Sequence, residues 1–140
     1  MDEARDVVIR RRLVKAEHDL IAAETVLRLD PPLTDTACFH AQQCMEKVLK
    51  SFLVRIDVHV ERTHDLIRLV NLCAASDATF HELAEGARHL TQYAVDVRYV
   101  DDQREIPLAE AEGAVPARRT GHGLRAGEAR TPRSRSITPS

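Results

Sequence analysis

The chain has 140 residues, of which 44% are hydrophobic and 30% charged, and a formal net charge of −2. That length is one domain by prior and is enough for a sizeable core. The small net charge gives no case for bulk attraction to nucleic acid. Trp is absent and aromatics make up 4% of the chain, so the core has to be aliphatic, of Leu, Val and Ala.

The charge is unevenly placed. Residues 1–103 hold 13 Lys/Arg against 18 Asp/Glu, a net of −5, and residues 104–140 hold 7 against 4, a net of +3. Cys38, Cys44 and Cys73 form no CxxC pair. An odd thiol count, with no apolar leader in MDEARDVVIRRR, points to reduced cysteines in the cytoplasm. No run approaches membrane-spanning length.

Asp2 to Leu29 reads as the first helix, since Leu13, Ala16, Leu20, Ala23 and Leu27 recur at three and four. Arg10, Arg11, Arg12 and Lys15 cluster near its start, either as a solvated face or as phosphate contacts. Asp30-Pro31-Pro32 stops it, because proline lacks an amide and biases its predecessor away from helix. Thr34 or Asp35 is placed to cap the second helix.

That second helix contains ACFHAQQCMEKVLKSFLVR, Ala37 to Arg55, free of Gly and Pro. Its apolar residues cover a wide arc, so neighbours are expected on several sides. Gln42, Gln43, Glu46, Lys47 and Lys50 interrupt the arc, and Gln42–Glu46, Gln43–Lys47 and Glu46–Lys50 are each four apart on a shared face. The stripe reads either as a solvated face or as the lining of a groove or subunit interface.

Ile56 to Arg62 is a connector. Thr63 is the expected N-cap of a third helix over about His64 to Ala74, with Asp65 in its first turn. Ser76 or Asp77 is expected to cap a fourth, running to about Arg98 with Phe80, Leu83, Ala87, Leu90, Ala94 and Val97 inward. Past Arg104 the character changes: four of the five glycines and four of the six prolines fall there. A fifth helix begins at Leu108 and loses its pattern near Gly113. The expected division is therefore a bundle over 1–112 and a basic tail over 113–140, with too little apolar content to offset ordering entropy. The abrupt loss favours a shifted reading frame over a native tail.

FHAQQCMEKVLKSFL, then THDL at Thr63–Leu66, then VRYVDD at Val97–Asp102 together resemble the HEPN family of small helical domains. The resemblance covers roughly Ala4 to Asp102, with Val97 and Val100 where Ala and Pro are common. It implies an all-α, up-and-down four-helix bundle with a reduced fifth helix. It also implies a homodimer, a nucleotide ligand, and action beside a minimal nucleotidyltransferase in a toxin–antitoxin-like pair.

Many members of that family are ribonucleases carrying Arg, four to six residues, then His. A histidine there serves as general acid or base and the arginine stabilises charge on phosphate. The comparable position here is Arg98, in RYVDDQREIPLAE, and no His follows it at the required spacing. Arg11 or Arg12 with His18 has the spacing, but on the first helix. The resulting expectation is a non-catalytic binding or partner protein without a cofactor; a ribonuclease toxin and a purely structural dimerisation module are the alternatives. Gln43, Glu46, Lys47, Lys50, His64, Arg98 and Tyr99 form the expected nucleotide- or partner-facing surface. The lysines would meet phosphate and Tyr99 would stack on a base. His40 and Cys44, with His64 and Cys73, make only a weak metal set, and core packing is the preferred reading for the cysteines.

Overall fold

The computed structural model describes residues 3–60, 62–94 and 105–115. Among these the chain is all-α: α1 (Glu3–Leu27), α2 (Thr34–Arg55), α3 (Leu66–Ala74), α4 (Ala84–Leu90) and α5 (Leu108–Ala114). Short 3₁₀ segments, Ala78–Leu83 and Thr91–Tyr93, flank α4. This is the expected helical bundle with a reduced fifth helix.

The two long helices form its frame. Glu3 and Asp6 place negative charge in the first turn of α1, where the helix dipole favours it. The chain turns through a cis Asp30–Pro31 bond, and the Leu33 amide returns to the Val26 carbonyl at 3.0 Å. So short a connection lays α2 back along α1, and this is the most extensive contact in the molecule.

The ends of the helices differ from expectation in an instructive way. Neither Thr34 nor Asp35 caps α2; Leu33 holds the cap position without a side-chain bond, and the Asp35 carboxylate accepts from the Thr36 amide at 2.8 Å. At its other end Asp57 adopts a left-handed φ of 62°. The amides of Asp57 and Val58 return to the carbonyls of Val54 and Leu53 at 3.0 and 2.9 Å, a Schellman closure.

Thr63 does not cap α3. Asp65 does, accepting from the amides of Ile67 and Arg68, while the Thr63 hydroxyl accepts from the Asp65 amide. The carboxylate supplies an anion at the dipole as well as a hydrogen bond. The expected continuous fourth helix is broken. Asp77 caps it, accepting from the Thr79 amide and hydroxyl, and the next turns tighten to 3₁₀ before α4 begins. Val97 and Arg98 lie outside the described residues.

One core joins all five helices. Leu20 and Ala23 of α1 meet Ala41, Leu49 and Leu53 of α2, Leu66 and Leu69 of α3, Ala87 and Leu90 of α4, and Ala111 of α5. Leu83, expected inside, is only partly buried against it, as is Phe80, whose ring lies 4.5 Å from that of Phe52. Cys38, Cys44 and Cys73 are buried within the core, and none is in a disulfide. Tyr93 is wholly buried, and its hydroxyl donates to the Glu110 carboxylate, tying the end of the fourth segment to α5. Ala114 and Val115 are also core residues, so packing runs past the expected boundary at residue 112. The remainder of the expected tail lies outside the described residues.

Candidate functional site

The polar stripe of α2 is a single connected chain of side chains. The Gln42 side chain is completely buried and donates to Glu46 Oε1 at 3.0 Å. Gln43 donates to the Gln42 carbonyl at 2.7 Å, and Lys47 Nζ lies 3.4 Å from the Gln43 carbonyl oxygen. Lys50 Nζ donates to Glu46 Oε2 at 2.8 Å, and His64 Nδ1 reaches the same carboxylate at 3.1 Å. The helix sets the three Gln42–Glu46, Gln43–Lys47 and Glu46–Lys50 contacts by its four-residue spacing; the α3 start brings His64 across to them.

Burial pushes the Glu46 carboxyl up, but hydrogen bonds from Lys50, Gln42 and His64, together with the Lys50 charge, more than offset it. The net position is below the ordinary glutamate value. Glu46 therefore stays ionised as the hub of this half of the chain.

The other hub, Asp19, comes from α1. Its Oδ1 meets His40 Nδ1 at 2.8 Å and its Oδ2 meets Lys47 Nζ at 2.7 Å. Neither Asp19 nor His40 belonged to the expected surface. The available signal was a carboxylate set inside the apolar stripe of α1, between Ala16 and Ala23, where burial demands a partner.

Of the expected surface residues, the structure thus brings Gln43, Glu46, Lys47, Lys50 and His64 together, and Arg98 and Tyr99 lie outside the described residues. The metal set is not assembled. His40 turns to Asp19, His64 to Glu46, and Cys44 and Cys73 into the core, and no cluster of metal-ligating groups occurs among the described residues. Cys73 Sγ donates to the Leu49 carbonyl at 3.5 Å, and burial raises its pKa to about 12. His18 is exposed on α1, while Arg11 and Arg12 line a cavity of about 290 Å³ with Val8, Lys15 and Lys47.

A small helical bundle with a charged chain threaded along its central helix is the class of protein defined here. The HEPN domain model matches residues 9–118, and the chain belongs to the HEPN family. No curated protein and no solved structure matches it significantly. Among the described residues no helix is long and apolar enough to cross a membrane.

Proposed function

We propose that this chain is a non-catalytic HEPN-type binding protein of the cytoplasm that takes a nucleotide at the α2 polar face. In this reading it works as a homodimer with a nucleotidyltransferase partner. One observation carries the nucleotide reading: Lys47 and Lys50 are fixed in place yet keep donor capacity. An ammonium group has three donors. Lys47 uses two, on Asp19 and Gln43, and Lys50 uses one, on Glu46, among the described residues. Their side chains are 26% and 25% exposed, enough for a ligand oxygen to reach them. Val14 and Ile21, seven apart and exposed on α1, support a second copy packing there.

Nucleotide titration against Lys47→Ala and Lys50→Ala tests the site. Each is expected to weaken binding by about tenfold, the worth of one charge-assisted hydrogen bond. Unchanged affinity would leave the stripe as a purely structural network.

One observation favours the ribonuclease alternative. Asp19 holds His40 through Nδ1, an arrangement that elsewhere orients an imidazole for proton transfer at its other nitrogen. An RNA-cleavage assay separates the two: purified protein is expected to leave RNA intact, and cleavage lost in His40→Ala would establish the enzyme instead.

A further inference from the structure

We propose that Arg11, Arg12 and Lys15 of α1, together with Lys47 of α2, form a binding site for a short polyphosphate chain. This rests on and deepens the nucleotide reading, by assigning the ligand's phosphates to one cavity.

Residues 8, 11, 12 and 15 follow the i, i+3, i+4, i+7 spacing and so share a face of α1. That face and Lys47 line an open surface depression of about 290 Å³. Arg10, in the same basic run, does not line it. The sequence shows four clustered cations; the fold selects three of them and adds a fourth from a helix that begins 19 residues later, at Thr34.

The charges are not arranged for stability. Arg11 and Lys15 are a like-charge i, i+4 pair, which disfavours the helix slightly. Among the described residues no carboxylate forms an ion pair with Arg11, Arg12 or Lys15. Asp19, the carboxylate paired with Lys47, has one oxygen on His40 and the other on Lys47. It holds the Lys47 head in place and leaves the arginines unneutralised. Two arginines and two lysines border one depression, and guanidinium groups grip tetrahedral oxyanions in pairs of hydrogen bonds. The lining is mostly apolar, which Val8 and the aliphatic stems of long basic side chains supply. The volume is just below that of usual small-ligand sites, about 300–1,000 Å³. It suits a phosphate chain with its nucleoside outside, and not a nucleic-acid backbone, which is tracked by an extended groove.

The test is calorimetric titration of inorganic tripolyphosphate into the full chain. Wild type should bind with an affinity that falls as salt rises. The Arg11→Gln/Arg12→Gln/Lys15→Gln variant should bind about tenfold more weakly or worse, and Arg10→Gln should match wild type. Glutamine keeps helix propensity, and a thermal melt of each variant checks the fold. Absence of binding in wild type, or equal binding by the triple variant, would overturn the site. So would displacement of tripolyphosphate by an oligoglutamate peptide or an oligouridylate at equal or lower concentration. ATP separates this inference from the reading beneath it. ATP binding that survives the triple variant and is lost in Lys50→Gln overturns the cavity and keeps the α2 face. Tripolyphosphate binding confined to the cavity, with no added affinity for ATP, supports the cavity and overturns the nucleotide.

Discussion

Asp19 and Lys47 meet at 2.7 Å across the two longest helices, with side chains 12% and 26% exposed. The same carboxylate holds His40, seven residues before Lys47 on α2, so one α1 residue fixes two turns of its neighbour. Such a staple sets the register of the pair more than it adds stability, because two charges leave water to form it.

That view makes a comparison of variants decisive. Asp19→Ala should destabilise the fold by about 1–3 kcal/mol, since Lys47 and His40 lose their acceptor in a partly buried place. Asp19→Leu combined with Lys47→Met should recover part of that loss, as apolar replacement of buried pairs usually does. Urea unfolding of the three proteins gives the answer, and a double variant less stable than Asp19→Ala would count against the staple.

Glu46 gives a pH dependence whose sign is fixed. Its folded pKa lies below the ordinary value of 4.5, so the folded state holds the proton less tightly than the unfolded chain. Its contribution is therefore full above that ordinary value and is lost as pH falls through the lower folded one. Melting temperatures from pH 7 to pH 3 should drop less steeply in Glu46→Gln than in wild type. Parallel curves would remove Glu46 from the acid response.

Cys73 acts at the opposite end of the scale. Burial raises its pKa to about 12, so the unfolded thiol ionises first as pH rises. Stability should fall above the ordinary thiol value, by about 1.4 kcal/mol per pH unit at most. Cys73→Ser would flatten that fall. The same burial predicts slow reaction of all three cysteines with a thiol reagent in the native protein and fast reaction in denaturant; a rapid native phase would show an exposed thiol.

Leu49 has no exposed surface and sits where α2 meets α3. Leu49→Ala should cost about 2–5 kcal/mol by transfer and cavity terms together. Leu83→Ala, at a partly buried position, should cost clearly less. Equal losses in denaturant unfolding would mean the core is not centred where the packing places it.

Much of the fold could be read along the chain. The stripes of α1 and α2 repeat every three or four residues, and Pro31 and Pro32 mark the break between them. Leu20, Ala41, Leu49, Leu69 and Leu90 could be assigned to one core on that basis. The helix starts were less legible. Thr63 and Asp65 are both good caps, and only the backbone, extended at Asp65, chooses between them. Past Asp77, Thr79, Phe80 and His81 are modest helix formers, so local preference did not exclude the 3₁₀ turn found there.

The sequence by itself determined the helical class, the central helix, the pairs four apart on its polar face and the lack of a histidine at the required spacing after Arg98. All of these depend on neighbours within a turn or two, or on residue identity alone. Only the tertiary structure decided that Asp19 serves His40 and Lys47, that His64 closes on Glu46, and that Arg11, Arg12 and Lys15 but not Arg10 line a cavity. Those pairings join residues 18 to 36 positions apart. Local periodicity says which face of a helix is apolar; how far one helix slides and turns against the next is settled by packing the whole core at once.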